Sequence, residues 1–125
     1  MTACNLTPSA DNAYGCGTAA LRWANIYAIS GVVATSDERK KEDIVDLDEA
    51  ELAAAKSIKS LIKRFLLIDD PKGKLHVGVI AQEVVAAFAA EGLNAHDYAI
   101  IDYDEDSDVY GVRYDQLAVF MIAAL

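Results

Sequence analysis

The last nine residues, Leu117–Leu125 (LAVFMIAAL), are apolar without a break. A helix that is apolar on every side has to be buried on every side. One face of such a helix can pack on its own domain; the others need further chains. The run is far short of the roughly 20 residues that cross a bilayer. It therefore reads as the end of a helix in an oligomeric bundle.

The rest of the chain must supply the domain that this helix closes. At 125 residues, 54% hydrophobic and 25% charged, the sequence has the size and composition of one globular domain. Its net charge of −9 argues against a nucleic acid or an anionic membrane as partner, because little here could neutralise phosphates. The charge is also uneven. Residues 1–40 hold three acids and three bases, whereas residues 76–125 hold nine acids and one base, Arg113. No basic-then-apolar leader opens the chain, so no secretory signal is expected. Cys4 and Cys16 lack metal-ligand spacing and nearby histidines. They are expected to be free thiols, and no metal or organic cofactor is implied.

Residues 1–20 are small and turn-forming and predict irregular structure. LRWANIYAISGVVATS, residues 21–36, is aromatic and β-branched and predicts an extended segment, with one helical turn as the alternative at its start. Composition then changes at Asp37, the main boundary of the chain. Asp46 or Asp48 is placed to cap a helix through EAELAAAKSIKS. LIKRFLLID and KLHVGV flank the DPKG turn signal and predict a β-hairpin over residues 61–79. IAQEVVAAFAAEG predicts a helix whose apolar face is Ile80, Val84, Ala87 and Phe88, stopped by Gly92. YAIIDYDEDSDVYGVRY predicts a second strand–turn–strand unit before the terminal helix. The fold class is α+β, with hairpins and helices rather than alternating βαβ units.

Few residues suggest chemistry. The acidic run Asp102–Asp108 fails as an EF-hand loop, because the sixth and twelfth positions hold Ser107 and Arg113 instead of Gly and Glu. It reads as a solvated turn. His76 and His96 are the only histidines, and no nucleophile elbow accompanies them. Ser36 is more informative. As the cap of a helix starting near Asp37 it lacks its capping-box partner, since Arg39 stands where Glu or Gln belongs. As a nucleophile it needs a base, and a neutral lysine can serve. Lysine is ordinarily charged up to pH ~10, so burial or neighbouring positive charge is required, and Arg39 and Lys40 beside Lys41 supply charge of that sign. On spacing alone, Lys40 and Lys41 both remain open.

LRWANIYA, TSDERKK, HVGVIAQEV and YGVRYDQL occur here in that order, over about residues 12–120. Together they resemble the C-terminal intramolecular chaperone, or auto-processing, domain of phage tailspikes and tail fibres, with the phage endosialidases among its members. The resemblance implies a homotrimer that guides folding of an upstream triple-stranded β-fibre and then releases itself. It implies cleavage between Thr35 and Ser36, with Ser36 as nucleophile and Lys41 as base of a Ser–Lys dyad. Residues 1–35 would then be the β-rich, extended end of the fibre, and 36–125 the chaperone. The implied partners are two further copies of the chain and the upstream fibre segment. The implied setting is the host bacterial cytoplasm during virion assembly, with the mature part ending in the virion tail. A trimerisation module without cleavage is the alternative, and a monomeric acidic adaptor is a third.

Overall fold

The computed structural model describes residues 5–125. They form two compact units, one ending at Ala34 and the other running Thr35–Leu125.

Residues 5–34 contain no helix and no strand. Order there is local. Thr18 N–H donates to the Leu21 carbonyl at 3.0 Å, and Leu21 N–H donates to Thr18 Oγ1 at 2.9 Å. Gly17 bends back with φ +83°, where a side chain would press on the Trp23 ring. The expected extended segment shows no β-ladder in the single chain. A strand needs the backbone groups of a neighbour, and this unit offers none. Its large apolar side chains stay in solvent, from 66% exposed at Trp23 to 106% at Ile29.

The second unit carries the core. Helix α1, Glu49–Ile58, starts at a capping box: Asp48 accepts from Glu51 N–H at 2.8 Å, and Asp48 N–H donates to Glu51 Oε1 at 2.9 Å. It ends in a 3-10 turn, Lys59–Leu61. Strands β1, Lys63–Leu66, and β2, Leu75–Gly78, pair antiparallel with Phe65 opposite His76. Both strands are shorter than expected, because the chain already turns between Leu67 and Asp70, where Asp70 N–H donates to the Leu67 carbonyl. Gly73 takes the positive φ that the turn signal implies.

Helix α2, Ala81–Ala90, buries Ala81, Val84 and Phe88. Ile80 departs from expectation: it occupies the cap position and is 45% exposed. Ala81 takes the buried place instead. Gly92, at φ +75°, closes the helix in a Schellman arrangement, with Leu93 N–H to Phe88 O at 2.9 Å and Gly92 N–H to Ala89 O at 3.0 Å. Strands β3, Ile101–Asp104, and β4, Val109–Val112, form the second antiparallel hairpin.

Helix α3, Tyr114–Ile122, lays Leu117 and Phe120 into the core. The Phe120 ring stacks on Phe88 at 5.4 Å, and Tyr98 packs on Phe88 from another side at 4.9 Å. The opposite side of α3 is uncovered, with Val119 at 68% and Ile122 at 61% exposure. The architecture is α+β, three helices with two small hairpins. Among the described residues no helix is long and apolar enough to cross a membrane.

Candidate active site

The segment that opens the second unit is short and polar. Asp37 is extended, with φ −71° and ψ 132°, and its carboxylate accepts from Arg39 N–H at 2.9 Å. That bond starts a single 3-10 turn, Glu38–Lys40. Within it, Lys40 N–H donates to Asp37 O at 2.9 Å and Lys41 N–H to Glu38 O at 3.2 Å. The Arg39 guanidinium folds back onto the same carboxylate, Nε to Oδ1 at 3.1 Å and Nη2 to Oδ2 at 2.8 Å. These bonds hold the Asp37 carboxyl below its ordinary range, the side-chain contact with Arg39 being the main cause.

The turn reverses the chain so that Lys41 Nζ lies 3.0 Å from Ser36 Oγ, as donor to the hydroxyl. Thr35, Ser36 and Lys41 are all exposed. Lys40 enters the turn through its backbone. The cap is Asp37 and not Ser36, in line with the missing capping-box partner of that serine.

The other sequence candidates have structural roles. His76 Nε2 lies 3.1 Å from Asp70 Oδ2, and its ring stacks on Phe65 across the hairpin. Asp70 also accepts from Lys72 N–H at 3.0 Å, and its carboxyl is lowered mainly by the His76 contact. His96 is exposed beside Tyr103 and Tyr110. In the acidic run, Asp104 accepts from Ser107 N–H at 3.0 Å and from its hydroxyl, and the Tyr103 hydroxyl donates to Asp108. Those carboxylates serve the turn itself. Cys16 is an exposed thiol, and Cys4 lies outside the described residues.

Two arrangements were not apparent from sequence. The Tyr114 hydroxyl accepts from Val79 N–H at 3.1 Å, directly over Gly78, where any Cβ would run into it. Glu83 has one carboxylate oxygen shut off from solvent without a hydrogen-bond partner.

The second unit is a small α+β fold with a serine–lysine contact at its very start, and comparison with known proteins shows what it is similar to. Residues 36–93 match the family model described as chaperone of endosialidase, whose name also marks it as a peptidase family. Through this segment the chain is similar to that family. A tail spike protein of an Escherichia phage is 35% identical over 121 residues, covering 94% of this chain. A probable tail spike protein of Klebsiella phage 0507-KN2-1 is 39% identical over 115 residues, covering 82%. The chain spans only 14% and 9% of those two proteins. Among solved structures, the carboxy-terminal domain of the bacteriophage T5 L-shaped tail fibre with its intramolecular chaperone domain superposes with a TM-score of 0.83. It is 26% identical, and the match covers 94% of this chain and 35% of that one. A further intramolecular chaperone structure, 25% identical, gives a TM-score of 0.57 over 71% of this chain and 93% of that one. The unit is thus similar in sequence and fold to intramolecular chaperone domains of the tail fibre and tailspike kind.

Proposed function

We propose that residues 36–125 trimerise, guide the folding of an upstream triple-stranded fibre that ends in residues 1–35, and then cut themselves free between Thr35 and Ser36. The observation that carries the cleavage is the contact of Lys41 Nζ with Ser36 Oγ at 3.0 Å. The chaperone role is supported by the family match and by the exposed apolar residues ahead of the junction. Strands intertwined from three chains can slip in register, and each slip turns the wrong faces inward. A compact trimer at their ends raises their effective concentration and sets the start of pairing.

The chemistry uses only the chain's own groups. Lys41 acts as a base when its amine is neutral, and the contact with Ser36 then reverses, the hydroxyl donating to Nζ. Ser36 Oγ attacks the carbonyl carbon of Thr35, to which its own backbone nitrogen is bonded. The O–C bond forms, the C–N bond breaks, and the proton on Lys41 passes to the departing nitrogen. The resulting ester links the Thr35 carboxyl to Ser36 Oγ. Water hydrolyses it with Lys41 again taking a proton, which leaves a Thr35 carboxylate and a free Ser36 amine. Both residues are solvated in the single chain. Trimer packing that desolvates Lys41 would favour the neutral amine and so tie the cut to assembly. In this reading the event takes place in the host cytoplasm during virion assembly.

Intact mass of the assembled protein tests this. The wild type is expected as two pieces, 1–35 and 36–125, while Ser36→Ala and Lys41→Ala stay whole. Full-length wild type that persists in trimers would leave a non-cleaving trimerisation module. Cleavage that survives Ser36→Ala would rule out the serine mechanism.

A further inference from the structure

We propose that Asp37 is the positioning residue of the serine–lysine pair, an inference that rests on the cleavage reading above. Ser36 and Lys41 are five positions apart. In an extended chain their backbones would stand about 17 Å apart, well outside contact. The 3-10 turn over Glu38–Lys40 removes that separation. Among the described residues, nothing buried holds this turn, since each of its residues is exposed. It is held by its own polar bonds, and apart from Lys41 N–H to Glu38 O at 3.2 Å these converge on Asp37. The carboxylate accepts from Arg39 N–H at 2.9 Å and from the Arg39 guanidinium at 2.8 and 3.1 Å. The Asp37 carbonyl accepts from Lys40 N–H at 2.9 Å. Asp37 also adjoins the nucleophile in sequence, so the residue that starts the turn fixes where Ser36 leaves it.

Asp37 does this as a helix-type cap rather than as a charge. A side-chain oxygen that satisfies the first free N–H of a turn is a strong local determinant, and Asn provides it about as well as Asp. Two substitutions separate these roles, because Asp37→Asn and Asp37→Ala both remove the charge but only Asp37→Ala removes the cap. Losing the cap lets the Lys41 amine drift from the hydroxyl, and misplacement by ~1 Å costs up to ~100-fold in rate.

The experiment measures self-cleavage of the full chain by intact mass, at matched trimer content, against pH. Asp37→Asn is expected within about threefold of wild type, and Asp37→Ala at least about tenfold slower. Arg39→Ala, which keeps its backbone N–H, should behave like Asp37→Asn. The plateau rate should fall in Asp37→Ala without loss of trimer, which a role in folding alone would not produce. Equal rates for Asp37→Ala and wild type overturn the inference. So do equally slow rates for Asp37→Asn and Asp37→Ala, which would assign the effect to charge. An Asp37→Ala chain that fails to trimerise overturns it as well, since the residue would then serve assembly. Lys41→Ala run alongside separates the two levels. Cleavage by Lys41→Ala removes the dyad itself, whereas an inert Lys41→Ala beside a normal Asp37→Ala removes only the role of Asp37.

Discussion

Tyr98 shows how much one side chain can join. Its ring packs on Phe88, and its hydroxyl donates to Glu51 Oε2 at 2.8 Å. Burial, with the Glu51 bond second, pushes the phenol up to about 12. Tyr103 reaches about 12 as well, there mainly through its bond to Asp108. Both groups hold their protons more tightly folded than unfolded. Their contribution to stability is complete below the ordinary tyrosine pKa of ~10 and is lost as pH rises through about 12. Thermal melts should therefore fall between those two values, and the double variant Tyr98→Phe, Tyr103→Phe should flatten that fall. Some of this scale was legible and some was not. Ser36 stood out by its motif and Lys41 only through the family resemblance; Lys41 Nζ lies 3.0 Å from Ser36 Oγ. The sequence weakened Ser36 as a cap without naming Asp37 in its place, because serine and aspartate are both leading cap residues and composition does not choose between neighbours. The choice depends on backbone torsions that place Asp37, not Ser36, ahead of the turn.

At the scale of elements, hydrophobic period and turn chemistry were good guides. The DPKG hairpin and the stop at Gly92 stand where local residues put them, and of the two cap candidates, Asp46 and Asp48, the helix uses Asp48. Local pattern fails where a contact links distant parts of the chain. The Tyr114 hydroxyl meets the backbone beside Gly78 across 35 residues, and no period announces it. This contact joins the β2–α2 corner to the start of α3. Gly78→Ala is expected to destabilise the unit by about 1–3 kcal/mol through overpacking. Tyr114→Phe should cost less, about 0.5–1.5 kcal/mol for the lost bond to Val79 N–H. Combining the two should recover little, because a Cβ at Gly78 also meets the Tyr114 ring. Denaturant unfolding of the three variants checks both the order and the coupling. Ile80 illustrates a different failure. It fits the apolar face of α2 by spacing, yet the helix begins one residue later, and element ends are the least legible feature of a periodic pattern.

At the scale of the molecule, the single chain leaves much apolar surface uncovered. On α3 the division is sharp: Phe120 is 6% exposed and its neighbour Val119 is 68% exposed. The sequence flagged this helix as apolar on all sides, and the fold accounts for one side only. If the proposed trimer forms through this face, Val119→Asp and Ile122→Asp are expected to abolish it while changing the stability of the unit by no more than about 0.5 kcal/mol. Light scattering beside thermal melts would show the two effects apart; trimers that persist in both variants would move the interface elsewhere. What the sequence could not display is which apolar residues the unit buries and which it leaves exposed, since both kinds obey the same pattern.

The capping box of α1 has a consequence of its own. Glu51 gives one oxygen to the Asp48 backbone and the other to the Tyr98 hydroxyl, 47 residues away. The first turn of α1 cannot fray without giving up the phenol, and the segment around Tyr98 cannot lift without loosening that turn. Their amides should therefore exchange with solvent deuterium together, as one cooperative opening rather than as two independent loose ends.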